Sequence, residues 1–148
     1  MNQPQAGLYK AYTRANHTVS KTRQVVMLYD GAIRFLQQAA GAIEAKDYEL
    51  RYHKLTRAAD IIVGLQSCLD FDVGGPPAKG LYDFYATIEM KIFTLQRSND
   101  LAECNALITE IKEMRDVWDG IDRGDEKVVM TDAEKPAAPP LDPTTVSA

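Results

Sequence analysis

Four stretches of the chain carry apolar residues at the three- and four-residue spacing of an amphipathic helix. They run over about residues 20–43, 48–69, 77–98 and 101–121. Alternation of apolar and polar residues never extends beyond a few positions, so no strand is predicted. Short connections between helices favour antiparallel neighbours. The pattern therefore predicts an all-α protein, an antiparallel up-down four-helix bundle over residues 18–123.

Local signals mark where the helices begin and end. Ser20 is a suitable N-cap for the first helix, because its hydroxyl can accept a backbone N–H two or three residues later. Two glycines and two prolines occur in residues 70–77, and this combination ends one helix and starts the next. Asp100 is followed three residues later by Glu103, the pattern of a capping box.

Two segments lie outside the predicted bundle. Residues 1–17 form a short N-terminal arm that contains Tyr9 and Tyr12. Residues 124–148 are rich in proline and alanine and contain no aromatic residue. Such a composition cannot bury enough apolar surface to offset the entropy lost on ordering. We therefore predict a disordered C-terminal tail.

Composition and charge exclude several classes of partner. The chain has 148 residues, 26% of them charged, and a formal net charge of -4. This balance gives no broad positive field for nucleic acid. The first residues lack the basic and apolar regions of a signal peptide, and no apolar run reaches the roughly 18 residues of a membrane span. We expect a cytoplasmic protein without membrane insertion.

The residues that carry catalytic or metal chemistry are sparse. Cys68 and Cys104 are not in a metal-ligand spacing, and we predict two free thiols. The chain has two histidines and no Glu-x-x-His motif, while Glu49 and His53 are typical of a surface helix pair. No phosphate-binding loop or nucleophile motif occurs. The sequence predicts no cofactor, no metal site and no enzymatic activity.

Three of the predicted helices carry more apolar residues than one core stripe requires. Successive residues are about 100° apart around a helix, and at that spacing a second apolar stripe appears beside the first. The residues of these second stripes that we select as candidates are Val26, Tyr29, Ile33, Ile61, Tyr82 and Phe93. They are equally compatible with contacts between neighbouring helices and with open grooves that bind an amphipathic helix from a partner.

Several short motifs, in order along the chain, resemble those of the FliS family of flagellar secretion chaperones. The resemblance covers roughly residues 8–121, although Lys21 and Gln24 stand where that family usually has proline and leucine. The motifs are Tyr9 and Tyr12, Thr18-Val19-Ser20, Val26-Met27-Leu28-Tyr29-Asp30-Gly31-Ala32-Ile33, Leu81-Tyr82-Asp83-Phe84-Tyr85 and Met114-Arg115-Asp116-Val117-Trp118.

The resemblance implies a partner and a mode of action. Members of that family bind the disordered C-terminal segment of flagellin, keep flagellin from polymerising in the cytoplasm and deliver it to the flagellar type III export gate. The segment would fold into helices on binding. Under this interpretation the six candidate residues line the groove, and Tyr9 and Tyr12 belong to an arm that the partner displaces.

Two other functions compete with the chaperone hypothesis. A dimerising helical adaptor would pair its second stripes with a second copy of the chain. A metal-dependent bundle enzyme would need ligand spacings that the sequence does not offer. A change of apparent mass with concentration would favour the first, and stoichiometric metal in the purified protein would favour the second.

Overall fold

The computed structural model describes residues 19–124, which are helical apart from short connections and contain no strand. This confirms the predicted all-α bundle of four helices. Within the described residues, no helix has the length and hydropathy required to span a membrane. The predictions for the arm with Tyr9 and Tyr12, and for the tail, lie outside the described residues. The helices are α1 (Lys21–Glu44), α2 (Tyr48–Ser67), α3 (Phe71–Ser98) and α4 (Leu101–Asp122).

Side-chain caps start α1 and α4 where the sequence predicts them. The hydroxyl of Ser20 accepts the backbone N–H of Arg23 at 3.0 Å. The carboxylate of Asp100 accepts the backbone N–H of Glu103 at 3.1 Å. The backbone N–H of Asp100 donates to the Ser98 hydroxyl and not to Glu103, so only the aspartate half of the predicted capping box forms.

The glycine and proline pairs produce a break within α3. Gly75 has φ 57° and ψ -143°, a backbone conformation that side chains strongly disfavour. Pro76 and Pro77 follow directly and suit the first turn of a helix, where a backbone N–H has no intrahelical partner. The long part of α3 therefore starts after Gly75, and a short helical segment precedes it.

The helices pack unevenly around the bundle. α1 packs closely against α2 on one flank and against α4 on the other, and α2 also packs against α3. α3 and α4 approach each other far less closely than the other neighbours do. The bundle is therefore well packed on three sides and open between α3 and α4.

A buried pair of tyrosines joins α1 to α3 across the core. The Tyr29 and Tyr85 hydroxyls lie 2.7 Å apart, and both side chains are almost fully buried. Burial raises the pKa of Tyr29 well above its usual value and raises the pKa of Tyr85 to about 12. Both phenols therefore stay protonated at neutral pH, and one hydroxyl donates to the other.

Both cysteines are free thiols, as predicted. Cys104 is buried and Cys68 is half-buried. Burial raises the pKa of each thiol. Both are therefore kept in the unreactive protonated form.

Polar contacts hold the start of α1 against the end of α4. The Asp122 carboxylate accepts from the hydroxyls of Ser20 and Thr22, the latter at 2.7 Å, and from Arg23 Nε at 2.9 Å. Arg23 also pairs with Asp119 at 2.7 Å. The hydrogen bonds from Ser20 and Thr22, followed by Arg23, lower the pKa of Asp122.

We expect the same glycine-to-alanine change to have opposite effects at two positions of α3. Gly75→Ala should lower the free energy of unfolding by about 1–2 kcal/mol, because the new side chain is strained at positive φ. Gly80→Ala should raise it by about 0.5–1 kcal/mol, because an added Cβ meets open space in a helix interior. Urea denaturation measures both, and equal stability of the two variants would contradict this account of the break.

The Asp122 contacts predict a pH-dependent contribution to stability. Folding lowers the pKa of Asp122. Its contribution to the free energy of unfolding is therefore fully present above the pKa of an unfolded aspartate, about 3.9, and is lost as the pH falls through the pKa of Asp122 in the folded protein. Asp122→Asn should therefore be less stable than the parent at pH 7, and the difference in free energy of unfolding between the two proteins should narrow below about pH 4. Asp60→Asn, at an exposed position, is the control and should show no such difference at either pH. If the difference in free energy of unfolding between Asp122→Asn and the parent does not change with pH, the ionised Asp122 carboxylate does not stabilise the fold as described.

Candidate helix-binding groove

A groove with a volume of about 400 Å³ lies between α3 and α4. We call it the α3–α4 groove. Leu95 and Leu107 are buried and form its floor, whereas Met90 is 64% exposed at its edge. The groove is lined by Thr87, Met90, Lys91, Thr94 and Leu95 of α3 and by Glu103, Ala106, Leu107 and Glu110 of α4.

Small side chains explain why the groove stays open. Thr87, Thr94 and Ala106 are too short to fill the space between the two helices. The Thr87 hydroxyl donates to the Asp83 carbonyl at 2.9 Å, and the Thr94 hydroxyl donates to the Met90 carbonyl at 3.0 Å. Because both hydroxyls are satisfied within α3, an apolar side chain that packs against the two threonines leaves neither hydroxyl without a hydrogen bond.

An apolar surface on the outside of α3 continues from the groove. Tyr82, Met90 and Phe93 are 43%, 64% and 62% exposed, and we call these three residues the α3 outer face. Phe93 lines a shallow depression together with Thr94 and Arg97, and Thr94 also lines the groove. An amphipathic helix in the groove could therefore extend its apolar contacts over the side of α3.

Charged side chains stand on both walls of the groove. Lys91 of α3 pairs with Glu110 of α4 across it, with 2.7 Å between Nζ and Oε2. Glu103 also lies on the α4 wall, and its carboxylate makes no ion pair with the described residues. The lining thus combines the apolar Leu95 and Leu107 with one ion pair that joins the two walls and one carboxylate outside any ion pair of the described residues.

The structure buries three residues that we expected on an accessible surface. Val26 and Tyr29 are 0% exposed and Ile33 is 7% exposed. The reason is the central place of α1, whose flanks are covered by α2 and α4, so that its second stripe is interior. The expectation of accessibility is wrong for these three residues, and we exclude them from the groove. Their contact with a partner stays a prediction.

The other candidate residues divide between the surface and a helix contact. Tyr82 and Phe93 are exposed, and the Tyr82 ring packs against Phe71 with 5.7 Å between centroids. Ile61 is half-buried against α1, since a Cβ added at Gly31 would be 3.3 Å from its Cδ1. Their binding roles stay predictions. Tyr9 and Tyr12 lie outside the described residues.

Sequence reasoning missed the α4 wall of the groove. It searched for surplus apolar residues, whereas Thr87, Thr94 and Ala106 create the groove by being small. The signal available in the sequence was the pair of short side chains two helical turns apart on α3, whereas a single alanine on α4 gave none. No group of three or more potential metal ligands occurs within residues 19–124.

Comparison with known proteins finds a family model and several relatives that agree on one family. The model of the family described as "Flagellar protein FliS" matches residues 3–125. The flagellar secretion chaperone FliS of Vibrio cholerae is 34% identical over 97 residues, which cover 66% of this chain and 71% of that protein. That of Campylobacter jejuni is 30% identical over 112 residues, covering 74% and 87%. The flagellar secretion chaperone FliSB of Pseudomonas aeruginosa is 33% identical over 102 residues, covering 67% and 79%.

The exposure of the α3 residues predicts that some of them contribute little to folding. Met90→Ser and Phe93→Ser should each change the free energy of unfolding by less than about 0.5 kcal/mol, because their side chains are largely in solvent. Leu95→Ala on the same helix should lower it by about 2–5 kcal/mol. Urea denaturation measures all three. A large loss for Met90→Ser or Phe93→Ser would show that the α3 outer face is part of the core.

Proposed function

The chain belongs to the FliS family of flagellar proteins, and from this premise we propose that it is an export chaperone for flagellin. It binds the disordered C-terminal segment of flagellin in the cytoplasm and prevents premature polymerisation. It then delivers flagellin to a gate component of the flagellar type III export apparatus. The family match and the relatives named flagellar secretion chaperones support the export role.

The open α3–α4 groove is the observation that supports flagellin binding most directly. Its floor is apolar, and it lies between two antiparallel helices along a little over two turns of each. An amphipathic helix binds such a groove through an apolar stripe, with residues spaced three and four apart entering between the two walls. The groove offers this surface on a bundle whose core is already complete without a partner, so the chaperone can exist empty and loaded.

Binding a disordered segment requires a large apolar contact. Ordering the backbone costs roughly 1–2 kcal/mol of free energy per residue, whereas apolar burial contributes about 25 cal/mol of favourable free energy per Å². The α3–α4 groove alone is small, so the bound segment must also cover the α3 outer face. Tyr82 and Phe93 are therefore assigned as contact residues. The arm with Tyr9 and Tyr12 is proposed to be displaced by the partner.

Holding and release are sufficient for this function, and no catalytic step is required. The FliS family consists of chaperones rather than enzymes, which supports a function without catalysis. A dimerising adaptor is the alternative, since the α3 outer face could instead pack against a second copy. Apparent mass measured over a range of concentrations separates the two.

Calorimetric titration with a peptide of the C-terminal segment of flagellin tests the proposal. We expect binding with a negative heat-capacity change, because apolar surface is buried as the peptide folds. Binding should persist at about 0.5 M salt, where exposed charges more than about 4 Å apart are largely screened. Loss of binding on adding salt would contradict a contact dominated by apolar burial.

A pair of variants on α4 locates the contact. Ala106→Phe fills the groove without changing charge and should weaken peptide binding by at least about tenfold. Asn105→Phe adds the same side chain at an exposed position outside the groove and should bind like the parent. Equal affinities of the two variants would place the flagellin site elsewhere on the bundle.

A further inference from the structure

The two walls of the α3–α4 groove carry unlike charges. Lys91 is the charged residue of the α3 wall, and Glu103 and Glu110 are those of the α4 wall. The two glutamates are seven residues apart, which is two helical turns or about 10 Å along one face of α4. The α4 wall therefore carries two negative charges, and the α3 wall carries one positive charge, which pairs with Glu110.

The charges are only partly compensated when the groove is empty. Lys91–Glu110 is the sole side-chain ion pair that joins α3 to α4 within residues 19–124, and both side chains are partly exposed. Glu103 has no ion-pair partner in the same part of the chain. The α4 wall thus keeps one uncompensated negative charge beside an apolar floor.

Glu103 also has a simpler role as an acidic residue in the first turn of α4. A carboxylate near the start of a helix interacts favourably with the helix dipole. Glu49 lies in the first turn of α2, at an exposed position that does not line the groove. The dipole therefore accounts for a glutamate in the first turn of α2 and of α4, but not for the position of Glu103 on a groove wall.

We propose that Glu103 selects a partner helix that carries lysine or arginine on the flank facing α4, and that this contact fixes the direction of the bound helix. The proposal rests on the groove being the site of the function proposed above. An apolar stripe alone fits the floor in either direction. Reversing the helix exchanges its two flanks, so the uncompensated carboxylate of Glu103 on one wall distinguishes the two directions.

The contact is expected to act on specificity more than on affinity. Exposed ion pairs contribute little to binding strength, but complementary charges suppress incorrect arrangements. Apolar burial thus provides most of the affinity, and the Glu103 contact adds a preference of about two- to fivefold at low ionic strength.

Two helical peptides with one apolar stripe and opposite flank charges test the proposal. One carries lysine and the other glutamate at the same flank positions, and the remaining polar positions are glutamine. We expect the parent protein to bind the lysine peptide about two- to fivefold more tightly at low salt. Glu103→Lys should reverse this preference, and Glu103→Gln, which is closer in shape, should abolish it.

Glu49→Lys is the matched control, because it makes the same change in net charge and also removes a first-turn carboxylate. It should retain the preference of the parent. The proposal is overturned if the parent binds neither peptide, if it shows no preference, or if Glu49→Lys and Glu103→Lys lose the preference equally.

Titration of the flagellin peptide in parallel keeps this test separate from the proposed function. If the flagellin peptide does not bind while the lysine peptide shows a preference that depends on Glu103, flagellin is the wrong partner and the selection by Glu103 stands. If the flagellin peptide binds and Glu103→Lys changes neither its affinity nor the preference between the two designed peptides, flagellin remains the partner and the selection by Glu103 is wrong.

Discussion

The packing of α1 between α2 and α4 is the constraint on which the rest of the bundle depends. α1 must bury apolar surface on both flanks, which places Val26 and Ile33 in the interior. α3 packs closely against α2 and reaches α1 only by side chains across the core, through Tyr29 and Tyr85. With α2 and α4 held on opposite flanks of α1, α3 is left without a close contact to α4. The groove lies between these two helices, where the short side chains of Thr87, Thr94 and Ala106 leave it open.

Helical periodicity and local chemistry were sufficient to predict the elements of the fold. The apolar spacing predicted four helices, and Ser20 and Asp100 cap the helices that they were expected to cap. The paired glycines and prolines marked the break at Gly75, where positive φ requires glycine. The same signals did not reveal the uneven packing of the helices, because the distance between α3 and α4 depends on side-chain volumes summed over the whole bundle.

The site was only partly predictable from the sequence. Apolar periodicity shows which side chains favour burial, but it does not show whether a neighbouring helix or a partner buries them. Val26, Ile33, Tyr82 and Phe93 gave the same signal, yet the first two are buried by neighbouring helices and the last two face solvent. Ala106 gave no signal, since alanine is common on any helix. The polar attachment of α1 to Asp122 was also not predicted, although Lys21 and Gln24 mark the place where the family pattern changes.

The two threonines of the α3 wall donate their hydroxyls to backbone carbonyls of their own helix. This determines which hydrogen-bonding groups a bound chain has to supply at that wall. The methyl groups that these two threonines present require no particular donor or acceptor from the apolar stripe of a bound chain. They discriminate by size and polarity, and they are indifferent to the exact order of the apolar residues that enter. Under the proposed function, a bound segment can therefore vary widely along its apolar stripe without any matching change in these threonines.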